Sequence, residues 1–94
     1  MDAFIERHAD DIRRITRRHG AGHVRVFGSR AIGIATTSSD ADFLVDFETG
    51  RDLLDVVALK QDLEALLGCH VDVVEEGGLS PYLRDRILNE AKPL

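Results

Sequence analysis

The sequence has 94 residues, of which 44% are hydrophobic and 31% are charged, and this fits one globular domain over residues 1–94. Its net charge of −5 argues against non-specific binding to nucleic acid or to an anionic membrane. No apolar run approaches the roughly 20 residues needed to span a bilayer, and the N-terminus lacks the basic and apolar regions of a signal peptide. The single cysteine, Cys69, cannot form an internal disulfide, so we expect a cytoplasmic protein.

A first helix is predicted from Asp2 to His19, because apolar residues recur there at helical spacing and Asp2 is a suitable N-cap. Gly20 follows and favours the end of the helix. The helix also carries five arginines, at positions 7, 13, 14, 17 and 18. These arginines form either a solvated helix face or a docking surface for an acidic partner.

The rest of the chain alternates between strand and helix patterns. Period-two alternation and β-branched residues predict strands at His23–Phe27, Asp40–Phe47 and His70–Val74. Helical periodicity, with the terminating Gly68 and the initiating Pro81, predicts helices at Asp52–Leu67 and Pro81–Ala91 and a short turn over Arg30–Gly33. This order predicts a small α/β (α+β) fold, a mixed sheet of a few strands with helices packed on one face.

The first predicted strand runs directly into Gly28-Ser29-Arg30. A glycine at such a turn lets the backbone approach a ligand closely, and the backbone N–H groups that open a helical turn attract phosphate. Ser29 adds a hydroxyl donor. Arg30 adds a positive charge and is either a phosphate contact or an exposed residue of the turn. We therefore predict nucleotide binding at Gly28, Ser29 and Arg30.

Asp40 and Asp42 lie two residues apart on the second predicted strand, so both carboxylates project from one face. Asp72 of the third strand joins them if the two strands are neighbours, whereas a slipped register would bring Glu75 or Glu76. Carboxylates suit Mg²⁺, and three of them suit two ions about 3.5–4 Å apart. Such a site favours phosphoryl or nucleotidyl transfer, which depends on positioning and charge neutralisation.

Gly28-Ser29, ten further residues and then Asp40-Ala41-Asp42 resemble the Gly-Ser-x₁₀-Asp-x-Asp signature of the DNA polymerase β-like nucleotidyltransferase superfamily. The residues around both motifs, in 27–31 and 39–45, are closer still to its minimal nucleotidyltransferase (MNT) branch. The similarity covers nearly the whole chain after about His23. Ile32 departs from the pattern, because many relatives carry a second arginine at that position.

The resemblance implies a Mg²⁺-dependent antitoxin that silences a partner HEPN-domain toxin, an RNase, by transferring AMP from ATP to a tyrosine hydroxyl of the toxin. It implies Gly28 and Ser29 as triphosphate-binding residues and two Mg²⁺ ions as cofactors. It also implies that the catalytic and metal-binding carboxylates are Asp40, Asp42 and Asp72, with Asp72 as a candidate base.

Other functions stay open at this point: a binding-only antitoxin with a vestigial metal site, a transferase acting on a small-molecule hydroxyl, and a structural domain with a chance motif. The short chain favours a protein acceptor, because no segment is left for an acceptor-binding domain. His70 shares the strand face of Asp72, and it either touches the nucleotide or is an ordinary, partly exposed histidine.

Overall fold

The structure is a computed structural model that describes all 94 residues. Its helices are α1 Ala3–Arg7, α2 Ala9–Arg18, α3 Ser29–Ile32, α4 Leu53–Leu67 and α5 Pro81–Glu90, with a 3₁₀ turn at Glu76–Gly78. Its strands are β1 Ala21–Phe27, β2 Ala41–Phe47, β3 Val71–Glu75 and β4 Lys92–Pro93. None of the helices combines the length and the apolar composition needed to cross a bilayer.

The four strands form one mixed sheet in the order β3-β2-β1-β4. β1 pairs antiparallel with both β2 and β4, whereas β2 and β3 run parallel. A parallel pair requires a crossover connection, and α4 supplies it between the end of β2 and the start of β3. As a result, the starts of β2 and β3 lie side by side, at the same end of the sheet as the end of β1.

The helices α1, α2 and α4 cover one face of this sheet and enclose the hydrophobic core. β2 turns alternate residues toward these helices, and the side chains on that face are fully buried: Ala41, Phe43 and Val45. α4 packs against these side chains with three buried leucines at four-residue spacing, Leu59, Leu63 and Leu67. This packing fixes which face of β2 is left for polar residues.

The continuous first helix predicted from Asp2 to His19 is wrong, because the chain leaves the helical path at His8, between α1 and α2. The His8 ring Nδ1 lies 2.9 Å from the carbonyl oxygen of Phe4, which would normally accept the backbone N–H of His8. That N–H donates instead to the carbonyl of Ile5, at 3.1 Å, and tightens the turn. Asp2 is the N-cap, as predicted, and accepts from the N–H of Phe4.

A second group of residues covers part of the opposite face of the sheet. Leu44 points away from the helical layer by strand alternation, yet it is fully buried. Arg25 of β1 contacts the Glu76 carboxylate at 3.3 Å, and Arg84 of α5 contacts the same carboxylate at 3.5 Å. The 3₁₀ turn and the start of α5 therefore lie over this face, in addition to the helices that were predicted on the other.

Candidate active site

Asp42 and Asp72 are direct neighbours across the parallel ladder of β2 and β3. Ala41 and Phe43 point into the core, so Asp42 between them faces the other side of the sheet. Val71 is likewise buried, and Asp72 after it projects to the same side as Asp42. The register therefore brings Asp72, and not Glu75 or Glu76, opposite Asp42.

Gly28 occupies the sharp bend between β1 and α3, with a φ of +73° that favours glycine. A Cβ atom added at this position would overlap the Oδ2 oxygen of Asp42, so the carboxylate lies directly against the glycine backbone. Ser29 follows as the first residue of α3. The antiparallel pairing of Phe27 with Asp42 produces this proximity, because it carries the turn to the start of β2.

Asp40, His70 and Asp72 form a cluster at the start of β2 and β3, with ligand atoms that all lie within 4.8 Å of one another. His70 Nδ1 lies 3.9 Å from Asp40 Oδ2 and 4.0 Å from Asp72 Oδ1. Sequence reasoning placed His70 on the face of Asp72 without including it among the metal-binding residues. The available signal was its two-residue spacing from Asp72, which puts both side chains on one side of the strand.

Asp42 is the carboxyl group most affected by its surroundings. Burial is the largest cause that raises the pKa of Asp42 to about 6, followed by the charge of Asp72, a hydrogen bond with Asp72 and the charge of Asp40. The charge of His70 acts in the opposite direction. Three carboxylates and an imidazole suit a divalent cation, and the crowded negative charge is what such an ion would offset.

Arg30 is 4% exposed, so it is not an exposed residue of the turn. Its guanidinium donates to the Asp2 carboxylate at 2.7 Å and to the Ser39 carbonyl at 2.9 Å. The same group lies 5.0 Å from the centre of the Phe4 ring. The structure therefore places Arg30 between α1 and the loop that precedes Asp40, and does not bring it into the carboxylate cluster.

The cluster lies on an open surface. The side chains of Asp40, His70 and Asp72 are 57%, 54% and 51% exposed. A cavity of about 520 Å³ lies between α1 and the end of α4, and Arg30 and Cys69 are among its ten lining residues, but no member of the cluster is. The carboxylates are therefore accessible to a macromolecule as well as to a small ligand.

Known proteins are similar to this chain in sequence. The nucleotidyltransferase domain family matches residues 7–94 of the chain. A candidate protein adenylyltransferase of Methanocaldococcus jannaschii is 47% identical over 77 residues, which cover 82% of this chain and 83% of that protein. The protein adenylyltransferase MntA of Thermococcus cleftensis is 37% identical over 90 residues, which cover 96% of this chain and 88% of that protein.

Solved structures show the same similarity. A candidate minimal nucleotidyltransferase has a TM-score of 0.87 at 50% identity, over 100% of this chain and 97% of that chain. A chain of the toxin–antitoxin complex MntA–HpeT has a TM-score of 0.76 at 26% identity, over 92% of this chain and 70% of that chain. This chain therefore belongs to the nucleotidyltransferase domain family, an enzyme family, and its predicted fold and its resemblance to minimal nucleotidyltransferases are confirmed.

Proposed function

We propose that this nucleotidyltransferase is the Mg²⁺-dependent antitoxin of a toxin–antitoxin pair. In this proposal it transfers AMP from ATP to a tyrosine hydroxyl of a partner HEPN-type RNase toxin and thereby neutralises it. The observation that carries the proposal is the meeting of Asp40, Asp42 and Asp72 beside the Gly28-Ser29 turn. The names of the relatives and the similarity to the MntA–HpeT complex support the reaction and the kind of partner.

The catalytic and metal-binding residues in this proposal are Asp40, Asp42 and Asp72. When bound, two Mg²⁺ ions would supply positive charge to the triphosphate and to the leaving pyrophosphate. The β2–β3 register keeps Asp42 and Asp72 at one level of the sheet. Because the Asp42 carboxylate also lies against Gly28, the metal site is directly beside the turn that we assign to the phosphates.

We assign the phosphates of ATP to the Gly28-Ser29 turn. The absence of a side chain at Gly28 permits close approach, and the Ser29 hydroxyl and nearby backbone N–H groups are suitable donors to an anion. The guanidinium of Arg30 is held by Asp2 and Ser39, so it serves the nucleotide indirectly. It fixes the turn relative to the loop that leads into Asp40.

The reaction joins the tyrosine oxygen to the α-phosphorus of ATP and breaks the bond from that phosphorus to the oxygen that bridges to the β-phosphate. Pyrophosphate leaves, and the hydroxyl proton passes to a carboxylate, for which Asp72 is the candidate. The half-exposed position of Asp72 allows a side chain of a folded protein to reach it. We place the reaction in the cytoplasm, where ATP is available and the free thiol of Cys69 stays reduced.

The test is to incubate the protein with ATP, Mg²⁺ and the product of its neighbouring gene, and then to measure the intact mass of that partner. We expect added AMP groups, and we expect none with the double variant Asp40→Asn, Asp42→Asn. Asp46→Asn is the matched control, because Asp46 lies on the same strand but outside the cluster.

Two outcomes contradict the proposal in different ways. A partner that binds tightly and stays unmodified indicates an antitoxin that acts by binding alone. A partner that is still modified by the double variant shows that the reaction does not depend on these carboxylates.

A further inference from the structure

His70 is the one member of the Asp40–His70–Asp72 cluster that is not a carboxylate. It directly precedes β3, and its backbone carbonyl accepts the N–H of Ala41 at 2.9 Å, which ties the start of β3 to the start of β2. Its imidazole is half exposed, and Nδ1 lies beyond hydrogen-bond distance of both carboxylates. The backbone of His70 is therefore fixed, while its ring nitrogen faces two carboxylates without bonding to either.

The separations in this cluster are slightly longer than those between adjacent ligands of one metal ion. Ligand atoms at about 2.0–2.2 Å from an ion lie about 3–4 Å from one another, depending on the angle between them. His70 Nδ1 lies 3.9 Å from Asp40 Oδ2 and 4.0 Å from Asp72 Oδ1. An ion between the three side chains would therefore need only a small inward movement of exposed groups.

We propose that His70 Nδ1 is a further ligand, together with Asp40 and Asp72, of one of the two divalent metal ions of the active site. This inference rests on the proposed function, because it assigns the same carboxylates to a metal. Mg²⁺ prefers oxygen ligands alone, whereas imidazole is a good ligand for transition metals. The mixed set of oxygen and nitrogen donors therefore allows a transition-metal ion such as Mn²⁺ to replace Mg²⁺ at this position of the active site.

The test uses Mn²⁺ as the probe, added to the protein without nucleotide, with pulsed EPR to detect coupling to an imidazole nitrogen. We expect this coupling in the wild-type protein and its loss in His70→Asn. We also expect His70→Asn to bind Mn²⁺ at least about 10-fold more weakly, with much less effect on Mg²⁺ in calorimetric titrations. His23→Asn is the matched control, because His23 also lies beside a carboxylate, 3.1 Å from Asp46, but outside the cluster.

Different results would overturn the role of His70 and the carboxylate site of the proposed function. Mn²⁺ that binds the wild-type protein without nitrogen coupling, or coupling that survives in His70→Asn, overturns the role of His70 and leaves the carboxylate site standing. Wild-type Mn²⁺ affinity in both Asp40→Asn and Asp72→Asn overturns the carboxylate site as well. Thermal unfolding of metal-free His70→Asn should match the wild-type protein, because the ring is exposed, and this excludes loss of binding through misfolding.

Discussion

Asp42 and Asp72 lie directly opposite each other in the parallel ladder of β2 and β3, and a hydrogen bond between their carboxyl groups contributes to the raised pKa of Asp42. A slip of one residue in this register would turn one of the two side chains toward the core. The site therefore depends on strand pairing as much as on the Asp40-Ala41-Asp42 motif. It also brings three carboxylates close together, and their repulsion should be measurable as a pH dependence of stability.

The raised pKa of Asp42, about 6, predicts that the metal-free protein loses stability as the pH rises. The carboxyl group titrates near 3.8 in the unfolded chain, so between these two values the folded state holds a proton that the unfolded state has lost. The stabilisation is complete below the lower value and is lost as the pH rises through the higher one. Because Asp42 is partly exposed, we expect an effect on the order of 1 kcal/mol, or roughly 4–8 °C in Tm.

Thermal unfolding at about pH 4.5 and about pH 7, in the presence of a chelator, measures this effect in the wild-type protein and in Asp42→Asn. The amide does not titrate, so the variant should lack this component of the pH dependence. An identical pH dependence in the two proteins would show that Asp42 is not the group responsible.

Mg²⁺ together with ATP should raise the Tm, because the cation offsets the repulsion among Asp40, Asp42 and Asp72. Binding at a concentration of 100 times Kd stabilises a folded protein by about 2.7 kcal/mol. Differential scanning fluorimetry with Mg²⁺–ATP measures the shift, and ATP with a chelator is the control. The absence of a shift with every combination of nucleotide and divalent metal would count against the site.

Gly28→Ala should abolish nucleotidyl transfer, because its Cβ would displace the Asp42 carboxylate. Gly33→Ala is the matched control: Gly33 also has a positive φ, +83°, but a Cβ there meets nothing within 4 Å. Gly33→Ala should lose about 1–2 kcal/mol of stability, because the backbone of Gly33 is left-handed. Gly28→Ala should lose at least as much, because a φ of +73° with a ψ of −156° is a conformation almost restricted to glycine. Transfer assays measure the loss of activity, and urea unfolding measures the loss of stability. Equal loss of activity in both variants would contradict the role assigned to Gly28.

Arg30→Met should destabilise the protein by about 3–5 kcal/mol, because it leaves the largely buried Asp2 carboxylate without its partner. Arg86→Met is the comparison, since Arg86 is 75% exposed and its ion pair with Glu90 contributes less than about 1 kcal/mol. Urea unfolding measures both changes. Similar small losses in the two variants would show that the Arg30–Asp2 pair does not hold α1 to the loop before Asp40.

The parts of the site that follow from local pattern were predictable from the sequence. Alternation along β2 places Asp42 on the opposite face from Phe43, and a turn between a strand and a short helix follows from Gly28-Ser29. The pairing of Asp42 with Asp72 was conditional on the two strands being neighbours, because strand order is a long-range property. That condition is met in the sheet.

Features that depend on distant or very short segments were not predictable. The contact between Arg30 and Asp2 joins residues 28 positions apart, and no local pattern signals it. β4 has two residues, one of them Pro93, which is too short to show a period of two. Leu53 is an apolar residue of the helix predicted from Asp52 to Leu67, yet it is 75% exposed, whereas Leu59, Leu63 and Leu67 of the same helix are buried.

The most direct test of the central claim is a crystal structure with Mn²⁺ and a non-hydrolysable ATP analogue, with the metal located by anomalous scattering. We expect metal density bounded by the carboxylates of Asp40, Asp42 and Asp72, with the triphosphate on the Gly28-Ser29 turn. Metal density away from these carboxylates, or a nucleotide bound at another surface, would contradict it.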